Sequence, residues 1–217
     1  MLYFESDGWS SLRVLRSVKN RFGPAGEIGV FEMAEDGLRE VPDASARVLS
    51  ERVADAPGTA VTASLEGTRP LLAEVQALVG QPAPQTPART CVGVDRVRVL
   101  MLAAVLDKAG LALHDRDLFV NAAGGLRLAE PAGDLAIVAA IASSLTDAPV
   151  RADTLLLGEV GLVGEVRAVP QAGLRLREAA RHGFRRMIVP AACASDAPSG
   201  VEVLGVRTVR DALAAIF

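Results

Sequence analysis

Residues 130–145, EPAGDLAIVAAIASSL, constrain the fold more than any other stretch of this chain. Pro131 suits a first helical position, because its missing N–H would be unpaired there in any case. Asp134 in the first turn complements the helix dipole. The following LAIVAAIA is apolar on all sides, and a helix of that kind has to be buried on all sides. Ser143 and Ser144 close the stretch and raise the question of a nucleophile. At a helix C-terminus such hydroxyls meet backbone carbonyls, and buried hydroxyls generally serve hydrogen bonds. The expectation is a core helix with structural serines.

The rest of the chain has to supply layers around that helix. VTASLE and LLAEVQALV (60–79) read as strands separated by GTRP, and proline-rich QPAPQTP (81–87) follows. VDRVRVLMLAAVLDKAGL (94–111) has helical periodicity and stops at Gly110. DLFVNA and GGLRL read as strands around a glycine turn. TLLLGEVGL and GEVRAV read as short strands broken by Gly158, Gly161 and Gly164. LRLREAARHGF reads as an amphipathic helix ending at Gly183, RMIVP and VEVLGV as strands, and VRDALAAIF as a terminal helix. Strands and helices mix without a strict β-α-β repeat, so the predicted class is α+β or mixed α/β. Upstream, GVFEM and LREV flank AEDG, a hairpin turn with Gly37 at its end, and Asp43 is placed to cap a helix over ASARVLSER. DAPG (55–58) is the predicted domain boundary.

With 217 residues, the chain fits one ordinary domain plus a piece of another. The net charge of −3 argues against a uniformly basic nucleic-acid binder but leaves room for a local basic patch. Cys91 and Cys193 stand alone, and His114 and His182 are the only histidines. A structural metal site, which needs three or four ligands, is not expected. Isolated cysteines read as reduced thiols, predicting a cytoplasmic protein. No apolar run is long enough to span a bilayer, so no membrane partner is expected. MLYFESDGW lacks the pattern of a signal peptide and reads as a strand entered in mid-domain, predicting a longer parent.

Three constellations are candidates for chemistry. Glu159 and Glu165 form a carboxylate pair, for which turn or surface roles are the better expectation. Arg175, Arg177, Arg181, Arg185 and Arg186 surround His182 and Phe184; a solvated helix face is the simpler reading and a phosphate-binding face the alternative. In VKNRFG, Lys19 and Arg21 lie two apart on an extended segment and share a face, a point charge beside a fork that suits a phosphate. No G-x-x-x-x-G-K-[ST] is present, and GGLRL precedes no helix in this reading, so neither a P-loop nor a dinucleotide fingerprint is predicted.

Taken together, RVLRSVKNRFG, EIGVFEM, SLEGTRPLLAEVQALV, VNAAGGLRLAEPAGDLAIVAAIASSL, GEVGLVGEVRAV and RLREAARHGFRRMIVP resemble the bacterial RadA family of RecA-related DNA repair ATPases. The resemblance runs over about residues 2–217, and the signature pentapeptide KNRFG is intact as Lys19, Asn20, Arg21, Phe22 and Gly23. It implies that 1–58 is the C-terminal part of a RecA-like ATPase domain and 59–217 a domain resembling the proteolytic domain of Lon. ATP and magnesium, and zinc in an N-terminal finger, are implied for the longer relatives; no cofactor is expected in this chain. The implied role is branch migration and processing of recombination intermediates. The implied partners are single-stranded or branched DNA, a RecA-type recombinase and further copies of the chain in a homo-hexamer. ATP-coupled DNA work is implied for KNRFG, and DNA contact is a possibility for Arg177, Arg181, Arg185 and Arg186.

Lon-type proteases cut peptides with a Ser-Lys dyad, and a low-polarity setting lets the lysine take the serine proton. Matched motif to motif, the serine position falls on Ala132 and the lysine position on Arg175. Alanine offers no nucleophile, and arginine stays protonated at any working pH. Ser143 lies 11 residues along the helix, roughly 16 Å away, and cannot take the place of the missing serine. The expectation is a proteolytically inactive domain kept for ring assembly and DNA contact. The alternative is a Lon-like serine peptidase with a rearranged site.

Overall fold

The structure is a computed structural model that describes residues 2–5, 12–17, 28–34, 36–82 and 86–217. Four short strands, β1 (Leu2–Glu5), β2 (Leu12–Ser17), β3 (Ile28–Ala34) and β4 (Gly37–Glu40), form an antiparallel sheet in that order. The expected hairpin joins β3 to β4, with Ala34 opposite Gly37, whose φ of 120° only glycine adopts readily. Helix α1 (Ala44–Leu49) follows, and Asp43 caps it by accepting the Ala46 N–H at 2.9 Å. Val30, Val41, Ala44 and Val48 pack with Leu71, so this segment shares a small apolar cluster with the main sheet.

That sheet has seven strands. β5 (Thr59–Glu66) and β6 (Arg69–Pro82) form an antiparallel hairpin. β6 continues antiparallel to β8 (Arg116–Ala122), and β7 (Arg89–Val92) closes that edge parallel to β8. On the other side β9 (Thr154–Leu156), β12 (Arg186–Pro190) and β13 (Glu202–Val206) add in parallel, giving the order β13-β12-β9-β5-β6-β8-β7. A separate small hairpin pairs β10 (Glu159–Val160) with β11 (Val166–Arg167). The class is mixed α/β, with parallel and antiparallel pairs in one sheet.

Strand alternation divides the core. Ala60, Ala73, Val75, Leu118, Leu156 and Ile188 face one side, where α2 (Arg96–Lys108), α3 (Asp134–Thr146) and α5 (Val209–Ile216) pack. Val61, Ala63, Leu72, Leu155, Met187 and Val189 face the other side, where α4 (Ala172–Arg181) packs. Helix α3 is buried from Asp134 to Ser143, as its composition demands. Pro131 opens a 3-10 turn, Pro131–Gly133, that leads into it. The serines are structural, as expected, although only Ser143 meets a carbonyl and both accept backbone N–H groups. Ser143 Oγ accepts the Gly58 N–H at 2.9 Å and donates to Ala148 O at 2.6 Å, and Ser144 Oγ accepts the Val79 N–H at 2.9 Å.

The structure adds β2 and β7, which the sequence reading left unassigned, and removes one expected strand. GGLRL is not a strand. Gly124 and Gly125 take φ of 72° and 69° in a 3-10 turn, and only Leu128 makes an isolated bridge, to Val94. Positive φ at two consecutive glycines turns the chain out of the sheet, which the apolar Leu126 and Leu128 do not reveal.

Candidate functional site

Arg175 is the largest fully buried side chain among the described residues, with 0 % of its surface exposed. Helix α4 buries Ala172, Arg175, Leu176 and Ala179, a spacing of three and four that marks one helix face, and the arginine stands in the middle of it. A guanidinium cannot lose its proton, so its burial requires acceptors all round. The fold supplies them. Nε donates to Pro170 O at 3.1 Å, Nη1 donates to Ala63 O at 2.7 Å and to Glu130 Oε1, and Nη2 donates to Glu130 Oε2 at 2.6 Å. The contact to Glu130 is a bidentate fork on a carboxylate. Glu130 also accepts the Leu65 N–H at 2.7 Å and the Ser64 hydroxyl at 3.2 Å. Burial pushes its carboxyl up, but Arg175 and the Leu65 N–H outweigh that and hold it below the usual glutamate value.

Ala132 lies two residues beyond Glu130 and is 2 % exposed, in the same apolar cluster as Leu72, Ala172 and Leu176. Its carbonyl accepts the Gly158 N–H at 2.9 Å, and Gly158 O accepts the Leu135 N–H at 3.1 Å. Gly158 has φ of 154°, and a Cβ there would stand 2.9 Å from Val166 Cγ1, so the close approach needs glycine. The structure therefore brings the Ala132 and Arg175 positions together through Glu130. What it assembles there is a methyl group at the serine position beside a bidentate ion pair at the lysine position; the nearby Ser64 hydroxyl donates to Glu130, and among the described residues no lysine amine stands in the cluster.

A second buried pair adjoins the first. Asp134, 1 % exposed, takes a bidentate contact from Arg98 Nε at 2.9 Å and Nη2, and accepts the Val160 N–H at 2.9 Å. Burial raises the Asp134 carboxyl, against the pull of Arg98. Its place in the first turn of α3 matters less than this staple between α2, α3 and β10. Sequence reasoning missed both Glu130 and Arg98. The available signals were an arginine at a core position of α4 and an aspartate opening an apolar helix, each of which demands a partner of opposite sign.

The remaining predicted residues are dispersed. Arg177 and Arg185 are exposed and have no ion pair among the described residues. Arg181 pairs with Glu178 at 3.0 Å and Asp43 at 3.7 Å. Arg186 is half-buried, donates to Ala215 O at 2.7 Å and lies 3.4 Å from Glu202. The five arginines therefore do not form one face. Glu159 and Glu165 both pair with Arg167. Asp43, Glu178 and His182 converge closely enough to hold a cation, but Arg181 pairs with both carboxylates and Ser45 Oγ donates to Glu178 at 2.7 Å. Lys19, Asn20, Arg21, Phe22 and Gly23 lie outside the described residues.

The class defined so far is a mixed α/β domain with a buried arginine–glutamate lock beneath its core helix. Residues 86–193 match the family model described as subunit ChlI of Mg-chelatase. Over nearly all of its length, the chain is similar to proteins named DNA repair protein RadA. The Bacillus subtilis relative is 49 % identical over 216 residues, covering 98 % of this chain and 47 % of its own length. The Pseudomonas aeruginosa relative is 47 % identical over 219 residues, covering 100 % of this chain and 48 % of its own length. The Escherichia coli relative is 48 % identical over 211 residues, covering 96 % and 46 %. The chain belongs to the RadA family, and it spans about half the length of the curated relatives it matches.

Proposed function

We propose that this chain is the part of a RadA-type DNA repair protein that supplies ring scaffold and DNA contact, while ATP hydrolysis is the work of segments the 217 residues do not contain. In this reading 59–217 is a Lon-like domain that has lost proteolysis, and 1–58 is the end of a RecA-like ATPase domain carrying the coupling motif Lys19–Gly23. ATP, magnesium and zinc belong to the longer parent, and no P-loop sequence is present here to hold a nucleotide. Homo-hexameric assembly and work on branched DNA alongside a RecA-type recombinase are part of the same proposal. Among the described residues no helix is long and apolar enough to cross a membrane.

The observation that carries the reading is the Arg175–Glu130 lock beside Ala132: the general-base position holds a permanent cation whose three nitrogens all donate to protein oxygens, and the nucleophile position holds a methyl group. The test has two arms. A fluorophosphonate probe should leave 1–217 unlabelled, and labelling would favour the rearranged peptidase. Binding of 1–217 to single-stranded DNA should weaken with salt. Removing the free charges by Arg177→Gln and Arg185→Gln should flatten the log–log slope by about 0.7 for each phosphate that is no longer neutralised. Undetectable or salt-independent binding would refute the DNA role.

A further inference from the structure

We propose that the groove between the C-terminal end of α2, the turn of the β10–β11 hairpin and the first turn of α5 is a docking site for a partner protein, which inserts a short apolar peptide segment flanked by carboxylates. The reading goes beyond DNA contact and concerns a different face from the arginines of α4. The turn Gly161–Gly164 displays Leu162 and Val163, which are 67 % and 82 % exposed. Two adjacent aliphatic side chains held this far into water, at the tip of a two-stranded hairpin, contribute nothing to the core.

The display is rigid. Gly161 N–H donates to Glu165 O at 2.9 Å and Gly164 N–H donates to Gly161 O at 3.0 Å, closing the turn. Val166 N–H donates to Arg207 O and Val209 N–H donates to Gly164 O, each at 2.8 Å, tying the hairpin to the start of α5. A site whose walls are already fixed loses little freedom when a ligand binds. Behind the turn lies a groove of about 230 Å³ with Val105 and Val209 among its walls. That is below the usual size of a cofactor or nucleotide cavity and suits one or two aliphatic or aromatic side chains.

Charge selects the flanks of the occupant. Lys108 and Arg210 line the groove, both are exposed, and neither has an ion-pair partner among the described residues. No carboxylate lines it. Arg210 stands in the first turn of α5, the helix end where a cation is disfavoured by the dipole, so local helix stability does not account for it. Two free cations beside an apolar trough complement an acidic-flanked apolar segment. Single-stranded nucleic acid is the poorer match, because such sites stack bases on aromatic side chains and none lines this groove.

Panning random short peptides over the 1–217 chain tests the proposal. Enriched peptides should share Leu, Ile or Phe between acidic residues. Affinity for the leading peptide should fall about tenfold with Leu162→Ser plus Val163→Ser, and roughly threefold with Lys108→Gln plus Arg210→Gln. All four positions are on the surface, and unchanged urea midpoints will verify that the variants remain folded. Enrichment of basic peptides, no consensus, or affinity unaffected by the hairpin pair would overturn it. So would an oligothymidylate that binds through Lys108 and Arg210 without needing Leu162 and Val163, or a drop in oligomeric mass in the hairpin variant, which would make this face a contact between copies.

Discussion

The Arg175–Glu130 pair predicts an asymmetry between its two halves. Arg175 has 0 % of its side chain exposed, whereas Glu130 has 27 %. Replacing Glu130 by Gln leaves a fully buried guanidinium with only neutral acceptors, the amide oxygen and the carbonyls of Ala63 and Pro170, and puts an amide NH₂ against Nη2. Breaking a buried pair from one side costs about 3–5 kcal/mol. Replacing Arg175 by Met leaves a carboxylate that still accepts from the Leu65 N–H and Ser64 hydroxyl and reaches water. It also frees the carbonyls of Ala63 and Pro170, each giving up a hydrogen bond worth about 1 kcal/mol. We therefore expect a loss of about 2–3 kcal/mol for Arg175→Met and a larger one for Glu130→Gln. The double variant should be less destabilised than the sum, by about 2 kcal/mol, because neither half then leaves a charge stranded. Urea unfolding followed by far-UV circular dichroism reads all four proteins; with a slope of about 2 kcal/mol per molar, Glu130→Gln lowers the midpoint by roughly 1.5–2.5 M. Additive losses, or a smaller loss for Glu130→Gln than for Arg175→Met, would refute the lock.

The same pair sets a pH dependence. Glu130 is held below the usual carboxylate value, so its contribution is full above the unfolded value of about 4.3 and is lost as pH falls through the folded value; the stability gap between wild type and Glu130→Gln should shrink steadily on acidification, and a gap constant from neutral to acid would contradict this. Ser143→Ala should cost about 1–3 kcal/mol, because the Gly58 N–H and Ala148 O are both left unpaired in a buried setting, and a midpoint shift too small to resolve would show that another group satisfies them.

What can be read in the sequence is whatever a short window contains. EPAGDLAIVAAIASSL places a buried helix because its composition leaves no polar face. Asp43 stands in position to cap the helix that follows, and it does so. The GGLRL error comes from the same kind of window, since strand-like residues give no hint that two glycines take positive φ. Strand order is beyond reach. β5 pairs in parallel with β9, Val61 opposite Leu155, with β6, β7, β8, α2 and α3 between them in the chain, and that register is decided by packing on both sheet faces rather than by a local motif. The site is legible as positions and not as partners. Arg175 counts in the sequence among the basic side chains of its helix, although its spacing with Ala172, Leu176 and Ala179 puts it on the apolar face. Glu130 is 45 residues away, and only the folded chain joins them.

Under the proposed dyad correspondence, the departure at Arg175 draws a third position, Glu130, into the site, while that at Ala132 stands apart from it. An arginine at the base position cannot be buried alone, because its charge persists at every pH at which the protein folds. It has to recruit a carboxylate, and Glu130 is the one that the chain presents, two residues before Ala132. Once the fork is closed, Arg175 is held by Glu130, Ala63 O and Pro170 O, and none of its contacts is directed by residue 132. Ala132→Ser alone would therefore restore a hydroxyl with no base to take its proton. Arg175→Lys alone would place an amine against Glu130, whose negative charge stabilises the ammonium and opposes the neutral form a general base requires. Recovery of a working dyad needs at least the serine, the lysine and the removal of Glu130 together. A site three changes from activity, two of them coupled through one ion pair, does not revert by a single substitution.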